Sequence, residues 1–304
     1  MEYAVEVKNI TKSFGATKAV DDVSFSVEKG ELFGFIGPDG AGKTTLFRMM
    51  TTLLLPESGS ATVDGFDIVK EFKKIRAAVG YMPGRFSLYQ DLSVEENLKF
   101  FARVFGTTIE KNYDLIKDIY IMLEPFKKRR AGQLSGGMKQ KLALSCALIH
   151  RPDVLFLDEP TTGVDPVSRN EFWDMLGKLK EEGITIVVST PYMDEASKCD
   201  RIALMQKGKI LDIGFLNDIV GKYDRKLYAM KSSNMHKLIL DLRAEENTDS
   251  VYSFGDFLHY TDKRGSFDSE QMKQNLISKG HGDFTVSEIN PGIEDCFMSL
   301  MNEK

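Results

Sequence analysis

Apolar and polar residues alternate over much of the first 36 positions of the chain, a pattern typical of half-buried β-strands. The alternating segments read YAVEV, VSFSVE and ELFGFI, and glycine-containing breaks separate them. Apolar residues then recur at helical spacing between Gly42 and Leu55. The chain is therefore predicted to begin with short strands and to enter its first helix directly after the third.

Strands and helices alternate in the central part of the chain. The spacing of apolar residues predicts two helices between 93 and 124, further helices at about 137–150 and 166–183, and strands at 154–158, 184–190 and 201–205. Strand–helix–strand order favours right-handed crossovers and a mainly parallel sheet. The pattern therefore predicts the α/β fold class.

The pattern changes past about Gly221. The remaining segments suggest a strand (LYAM), a helix (MHKLILDLRA), two strands (SVYSF and FLHY), a helix (SEQMKQNLISKG), a strand (FTVSEI) and a last helix (IEDCFMSLM). The order βαββαβ is typical of ferredoxin-like domains. We therefore predict two domains, 1–221 and 222–304, of which the second is a small α+β accessory or regulatory domain.

Composition narrows the classes of function. Hydrophobic residues make up 42% and charged residues 28% of the 304 positions, as in soluble globular proteins. The net charge of −5 argues against broad nucleic-acid binding, so no nucleic-acid partner is expected. The three cysteines have no CxxC spacing, and no apolar run approaches the roughly 18 residues of a membrane-spanning helix. We expect a chain in a reducing compartment that does not cross a membrane.

The strongest chemical signal is GPDGAGKTT at 37–45, which fits GxxxxGK[ST] between a predicted strand and a predicted helix. Glycines let backbone N–H groups face inward, and the helix adds its positive N-terminal end, so the loop suits polyphosphate oxygens. The candidate binding residues are Gly37, Pro38, Asp39, Gly40, Ala41, Gly42, Lys43, Thr44 and Thr45. Lys43 would add a charge at the β- and γ-phosphates, and the Thr44 hydroxyl would be a Mg²⁺ ligand. The alternative is a glycine-rich turn without a ligand.

Two carboxylates, Asp158 and Glu159, follow the apolar segment VLFL. They stand at the C-terminal end of a predicted strand, where ligands lie in open α/β sheets. Asp158 would help to hold Mg²⁺ through water, and Glu159 would polarise the attacking water as the catalytic residue. An apolar strand ending in Asp-Glu is by itself an ordinary strand end, and the upstream phosphate loop is what favours the catalytic interpretation.

A second potential anion site opens the helix at about 137–150. Ser135, Gly136 and Gly137 stand at its start, where backbone N–H groups and the serine hydroxyl can bind a phosphate oxygen. The alternative is a capped helix after a flexible turn. Because the P-loop would already surround one face of the phosphate, this helix would reach it from a second copy of the chain.

The ordered set of motifs resembles the nucleotide-binding subunit of ATP-binding cassette (ABC) transporters. The resemblance covers about residues 3–220: GPDGAGKTT as Walker A, LSGGMKQ as the signature, VLFLDEP as Walker B and TTGVDP, with Asp165, as the D-loop. It implies ATP and Mg²⁺ as cofactors, an antiparallel β subdomain, a helical insertion at about 84–150, and a homodimer with each ATP between a P-loop and the other copy's signature. Phe14 falls where the family has an aromatic residue that stacks on adenine; the alternative is a core aromatic near a strand end.

Further segments, RFSLYQDLSVEENL and STPYMDEA, are similar to exporters whose membrane part is a separate ABC-2-type permease. The resemblance implies an ATPase that powers transport and lies peripherally on the cytoplasmic face of the membrane. It also implies that the segment from Gly84 to Arg103 contacts the permease, with Phe86, Leu88 and Tyr89 as exposed apolar candidates. The alternative is that these three side chains pack under the helical insertion.

Two positions depart from the family pattern. Gly84 stands where the resemblance places the Q-loop glutamine, and Pro191 stands where it places the switch histidine. Neither side chain can hydrogen-bond a phosphate, so hydrolysis is predicted to be slow; Arg85, Thr190 and Tyr192 are the neighbouring candidates for compensation. The alternative function is a soluble ABC-type nucleotide switch or sensor, associated with ribosomes or chromosomes or with negligible ATP turnover.

Overall fold

The computed structural model describes residues 3–264 and 267–302. Residues 1–2 and 303–304, at the ends of the two predicted domains, and residues 265–266 lie outside the described part. The chain folds into two compact units, the first reaching to Leu216 and the second covering Asn217–Asn302. The boundary between the two units lies at the start of the short helix Leu216–Gly221. The boundary predicted from the sequence, Gly221, is the last residue of the same helix.

The described strands are β1 (Tyr3–Phe14), β2 (Thr17–Glu28), β3 (Leu32–Ile36), β4 (Ser58–Val63), β5 (Phe66–Asp67), β6 (Val79–Met82), β7 (Val154–Asp158), β8 (Thr185–Thr190), β9 (Arg201–Gln206), β10 (Lys209–Gly214), β11 (Leu227–Lys231), β12 (Thr248–Phe254), β13 (Phe257–Asp262) and β14 (Thr285–Ile289). The α-helices are α1 (Lys43–Met50), α2 (Phe72–Ala78), α3 (Val94–Val104), α4 (Tyr113–Tyr120), α5 (Gly136–Leu148), α6 (Pro166–Glu181), α7 (Leu216–Gly221), α8 (Met235–Arg243), α9 (Ser269–Ser278) and α10 (Ile293–Asn302). Short 3₁₀ helices cover Glu110–Asn112, Glu124–Phe126, Ala131–Gln133 and Met193–Lys198. Within the described ranges, no helix is long and apolar enough to span a bilayer.

Two sheets build the first unit. Strands β2, β1, β4 and β5 form an antiparallel sheet in that order. The second sheet has the order β10-β9-β3-β8-β7-β6 and is parallel except for the β9–β10 pair. The predicted α/β class, with an antiparallel β subdomain and a helical subdomain, is therefore confirmed.

The parallel sheet separates two hydrophobic cores, because side chains along a strand point alternately to its two faces. In β7, Leu155 and Leu157 pack in one core with residues of α3, α4, α5 and α6. Phe156 packs in the other core with α1 and the antiparallel sheet, where its ring meets Phe47 edge-on at a centroid distance of 5.7 Å. Packing on both faces fixes the C-terminal ends of β3, β7 and β8 side by side, where the candidate site lies.

The first helix is shorter than its sequence pattern predicts. Helix α1 ends at Met50, and Thr52 has a left-handed φ of 60°. Leu53 lies beyond the helix with 57% of its surface exposed. The apolar spacing to Leu55 therefore continues past the helix without extending it.

The second unit is built on a four-stranded sheet. Its elements run β11, α8, β12, β13, α9, β14 and then α10, which is the order of elements given by the sequence. The strands lie in the order β12-β13-β11-β14, and neighbours are antiparallel. Helices α8 and α9 contribute Leu238 and Leu276 to a core that also buries Met230 and Tyr260.

Candidate nucleotide-binding and catalytic site

The predicted P-loop joins β3 to α1 and depends on its glycines. Gly40 and Gly42 have left-handed φ values of 78° and 106°, a conformation that favours glycine. A Cβ at Gly42 would lie 2.1 Å from the Ala19 carbonyl oxygen, and one at Gly37 would lie 2.1 Å from the Met205 carbonyl oxygen. A side chain at Gly37 or Gly42 would therefore clash with backbone, and the left-handed conformation at Gly40 favours glycine.

The loop borders a cavity of about 220 Å³ at the N-terminus of α1. The lining residues are Ala19, Gly40, Ala41, Gly42, Lys43, Thr44, Thr45 and Glu159. Most of the predicted phosphate-binding residues thus line one cavity, together with the predicted catalytic glutamate. Gly37 and Pro38 face the lysine through their carbonyl groups instead, and Asp39 is exposed. The N-terminal end of the helix makes the cavity favourable for anions.

Lys43 is buried, with 2% of its surface exposed. Its Nζ donates to the carbonyl oxygens of Gly37 at 2.6 Å and Pro38 at 3.0 Å, and it lies 3.2 Å from Oε1 of Glu159. A buried ammonium needs such acceptors and a counter-charge. The Glu159 carboxylate supplies that charge, so an incoming phosphate must compete with it for Lys43.

Asp158 joins the P-loop helix to the sheet. Its Oδ1 accepts hydrogen bonds from the Thr44 hydroxyl at 3.1 Å and from the Ser189 hydroxyl at 2.7 Å. Burial raises the pKa of the nearby Tyr81 to about 12, and the negative charge of Asp158 contributes to the rise. Tyr81 is therefore neutral at physiological pH. The two predicted Mg²⁺ residues, Thr44 and Asp158, are in direct contact.

Glu159 has an uncommon backbone conformation. Its φ is 50°, in the left-handed region that non-glycine residues rarely adopt. Its N–H donates to both the carbonyl and the hydroxyl oxygen of Ser189, each at 3.0 Å. Strained conformations of this kind persist where the surroundings over-determine them, and they occur often at functional sites. The bend turns the Glu159 side chain into the P-loop cavity.

The predicted signature residues form the start of α5. Ser135 caps this helix by accepting a hydrogen bond from the Met138 N–H at 3.4 Å, and Ser135 and Gly136 are exposed. None of Ser135, Gly136 and Gly137 belongs to the described lining of this chain's own P-loop cavity. The helix start is thus available to a ligand held by another molecule.

The signature glycines contact the start of α6. A Cβ at Gly137 would lie 2.8 Å from Oγ of Ser168, and one at Gly136 would lie 3.3 Å from the Gly163 carbonyl oxygen. Asp165 caps α6 by accepting from the Ser168 N–H at 3.0 Å, and this hydrogen bond lowers the pKa of Asp165. The signature and the predicted D-loop are therefore packed against each other within one chain.

Phe14 and the apolar residues after Gly84 have different environments. Phe14 ends β1, is 54% exposed and does not belong to the described cavity lining. Its ring is available for stacking, and the alternative of a core aromatic does not fit this exposure. Among the apolar candidates, Tyr89 is 51% exposed, whereas Leu88 is buried and Phe86 is half-buried against the helical core. Of the three apolar residues that were expected to be exposed, only Tyr89 is.

The two departures from the family pattern lie beside the site. A Cβ at Gly84 would lie 2.9 Å from the Asp158 carbonyl oxygen, so a larger residue requires the chain to shift. Pro191 directly follows Thr190, whose buried hydroxyl donates to Glu195. Of the compensating candidates, Thr190 is thus already engaged, and the Tyr192 ring lies under the Arg169 guanidinium at 4.5 Å.

Sequence reasoning missed Ser189 and Ala19. The signal for Ser189 is a polar residue at the end of the apolar strand TIVVST, and its role depends on β8 lying beside β7. Ala19 gives no signal, because its backbone borders the cavity only through the fold of β2.

Comparison with known proteins agrees with this geometry. A family model described as ABC transporter matches residues 20–162. The Escherichia coli protein named "Probable multidrug ABC transporter ATP-binding protein YbhF" is 46% identical over 220 residues, which are 72% of this chain and 38% of that protein. The chain therefore spans well under half the length of that relative.

Two further matches cover nearly the whole length of the matched protein. The Nod factor export ATP-binding protein I of a Rhizobium species is 33% identical over 306 residues, covering 98% of this chain and 96% of that protein. A solved dimeric, post-hydrolysis state of an ATP-binding cassette, bound to ADP and Pi, is similar with a TM-score of 0.63 and 27% identity, covering 70% of this chain and 98% of that one. The chain therefore belongs to the family of ABC transporter ATP-binding proteins.

Proposed function

We propose that the chain binds and hydrolyses ATP as the energy-coupling subunit of an ABC transporter. The observation that carries the proposal is that Lys43, Thr44 and Glu159 line one cavity, with Asp158 hydrogen-bonded to Thr44, on a loop in which a side chain at Gly37 or Gly42 would clash with backbone. The triphosphate would lie along the N-terminus of α1. Its γ-phosphate would take the place of the Glu159 carboxylate as the counter-charge of Lys43.

The released Glu159 would then act as the general base. Its carboxylate accepts a proton from water, the water oxygen forms a bond to the γ-phosphorus, and the bond to the β–γ bridging oxygen breaks, leaving ADP and phosphate. The left-handed turn at Glu159 and its two hydrogen bonds to Ser189 orient the carboxylate for this step.

The residues present also suit Mg²⁺. Thr44 would coordinate the ion, Asp158 would hold it through water, and Ser189 would orient the Asp158 carboxylate. The ion would neutralise charge on the β- and γ-phosphate oxygens. The hydrogen bonds that link Thr44, Asp158 and Ser189 support this assignment.

A second copy of the chain would complete the site. The exposed Ser135 and Gly136 lie outside the P-loop cavity of their own chain, so their helix end can cap the phosphate only in another molecule. The dimeric cassette described above supports this arrangement. Each nucleotide would then contact Phe14 and the P-loop of one copy and the signature of the other.

An apolar groove of about 200 Å³ supports a membrane-protein partner. The described lining residues are Thr51, Leu53, Arg76, Val79, Tyr81, Met82, Pro83, Ser87, Leu88, Phe101, Phe105, Ala143, Cys146, Ala147 and His150. Tyr89 and Phe100 are sequence neighbours of the lining residues Leu88 and Phe101, and their exposed rings meet edge-on. We assign the groove to a segment of an ABC-2-type export permease, which would hold this chain on the cytoplasmic face of the membrane.

The second candidate function is a nucleotide sensor whose ATP turnover is slow or negligible. Gly84 and Pro191 favour it, because neither position supplies a polar side chain to the phosphate. A general base contributes about 10²–10⁴-fold, and Glu159 is retained, so we expect hydrolysis that is slow and measurable. ATP turnover with and without the co-purified permease separates the two functions.

The variant Glu159→Gln tests the proposal. It keeps the shape of the side chain and removes the base, so we expect hydrolysis to fall by about 10²-fold or more and an ATP-bound dimer to accumulate. Size-exclusion chromatography with ATP measures the dimer, and the same measurement with ADP is the control. The matched control variant is Glu182→Gln, at an exposed position. Hydrolysis by Glu159→Gln at the parent rate would show that Glu159 is not the base.

A further inference from the structure

A buried glutamate connects the two loops that follow β7 and β8. Glu195 is 3% exposed and lies in the 3₁₀ helix Met193–Lys198. Its Oε1 accepts a hydrogen bond from the Thr161 hydroxyl at 2.8 Å, and its Oε2 accepts one from the Thr190 hydroxyl. Both threonines are fully buried. One carboxylate thus joins Thr161, in the loop after β7, to Thr190, at the end of β8.

The charge of Glu195 is compensated from a third element. Arg169 of α6 places Nη1 3.9 Å from Oε1 of Glu195 and 3.6 Å from Oδ2 of Asp194. The same guanidinium lies over the ring of Tyr192 at 4.5 Å. The Tyr192 N–H donates to the Thr190 hydroxyl at 3.0 Å, which fixes the backbone on both sides of Pro191.

The loop on the Thr161 side leads to the signature. It begins at Glu159, and its turn is held by the N–H of Val164 donating to the Thr161 carbonyl at 3.2 Å. Gly163 in this loop and Ser168 in the first turn of α6 are the residues that Gly136 and Gly137 approach. A displacement of Thr161 would therefore move both the catalytic glutamate and the signature.

We propose that Glu195 is a positioning residue that fixes the loop 159–165 against the end of β8 and the residues that follow it, 190–192. This inference rests on the proposed function, because it assigns to Glu195 the geometry of the hydrolytic site. In a chain with proline at 191, the Glu195 carboxylate supplies the side-chain link between the two loops. Glu195 does not belong to the described lining of the P-loop cavity, so its loss should affect the catalytic step more than nucleotide binding.

The experiment uses the full chain with Glu195→Gln, Thr161→Val and the double variant. Glutamine keeps the size of the side chain but puts an amide donor against one threonine hydroxyl, and valine removes one donor. We expect each single variant to lower kcat about tenfold, as for a loss of about 1.4 kcal/mol, with KM for ATP within about twofold of the parent. Because both residues belong to one contact, the double variant should lower kcat little further.

The matched control is Glu31→Gln. Glu31 is also buried and accepts from an arginine, Arg201, but it precedes β3 at the end of the sheet opposite the cavity. Thermal unfolding reports the stability cost of each variant. A merely structural role for Glu195 predicts that it and the control lower the melting temperature alike and leave kcat of the folded protein unchanged.

Hydrogen exchange gives a readout independent of turnover. Amides in 159–165 should exchange about tenfold faster in Glu195→Gln and Thr161→Val, and at the parent rate in Glu31→Gln. The role of Glu195 would be overturned if exchange in that segment were the same in the variants as in the parent. It would also be overturned if the parent hydrolyses ATP and the variants have the same kcat. A parent without turnover would contradict the proposed function instead, and hydrogen exchange would still decide whether Glu195 anchors the loop.

Discussion

At the scale of single residues, the site depends on Lys43, whose side chain is buried beside the P-loop. The Lys43 ammonium is stabilised by two carbonyl oxygens and by the Glu159 carboxylate. Hydrogen bonds to a charged group contribute about 1.5–3 kcal/mol each. The same donors can transfer to phosphate oxygens, so Lys43 is the residue whose loss should weaken nucleotide binding most.

We expect Lys43→Ala to reduce ATP affinity by at least about a hundredfold, which corresponds to about 2.8 kcal/mol. Titration with a fluorescent ATP analogue measures the affinity. Lys99→Ala, which removes a half-exposed lysine paired with Glu95 on α3, should bind like the parent. Binding by Lys43→Ala within about threefold of the parent would contradict the assigned role, provided that thermal unfolding shows an intact fold.

Some of these residues could be predicted from the sequence and others could not. Lys43 and its glycines follow from local spacing, because the P-loop is one continuous segment. Ser189 contacts Asp158, 31 residues away in the chain, and Glu195 contacts Thr161, 34 residues away. Such contacts depend on which strands lie side by side, and the pattern of apolar positions does not give that order.

At the scale of elements, α3 shows how local sequence fixes a helix end. Ser93 accepts from the Glu96 N–H at 3.3 Å, and Glu96 accepts from the Ser93 N–H at 2.8 Å, which completes the capping box indicated by the sequence. Hydrogen bonds from Ser93 lower the pKa of Glu96. The helix carries one side of the apolar groove, so its start helps to place Phe101.

We expect Ser93→Ala to lower the free energy of unfolding by about 1 kcal/mol, and Ser93→Thr to lie close to the parent. Urea unfolding measures both. Because folding lowers the pKa of Glu96, its contribution is present above the ordinary value of 4.5 and is lost as the pH falls through the lower folded value. A difference between Ser93→Ala and the parent that grows towards low pH would contradict this sign.

The elements that sequence analysis missed have weak patterns. Strand β6 has four residues including a glycine, and β10 has no fully buried residue that would mark its inner face. The first helix was predicted too long, because Leu53 and Leu54 keep the apolar spacing after Thr52 has turned the backbone. Long elements with a buried face, such as β7 and α6, were predicted close to their observed bounds.

At the scale of the whole molecule, the first unit offers a surface suited to a partner. Its groove is lined mostly by apolar side chains, and Leu53 on its edge is 57% exposed. Burial lowers the pKa of His150, whose ring stacks on Phe105 at 3.7 Å, so the groove gains no charge there at neutral pH. The charged residue of the described lining is Arg76, whose guanidinium donates to the hydroxyl and carbonyl oxygens of Thr52. The mostly apolar lining around it favours an apolar segment of a membrane protein.

If the groove binds the proposed permease, Leu53→Glu should reduce co-purification with it about tenfold or more, because the permease segment would have to desolvate a carboxylate. Quantitative pull-down from detergent-solubilised membranes measures the loss. Leu240→Glu is the control, since Leu240 is similarly exposed but lies on α8 of the second unit. Equal losses in the two variants would argue against the groove as the docking site.

The ion pair between Lys43 and Glu159 also has a consequence for ligand selection. Because the ammonium already has an anionic partner, nucleotide binding exchanges one anion for another and does not neutralise a bare charge. A ligand with few negative charges gains little by this exchange, whereas a triphosphate brings enough charge to displace the carboxylate. Lys43 is buried and Glu159 is partly buried, so dissolved ions screen this pair less than they screen exposed charges. The single chain should therefore discriminate nucleotides by the length of their phosphate chain, even at high ionic strength.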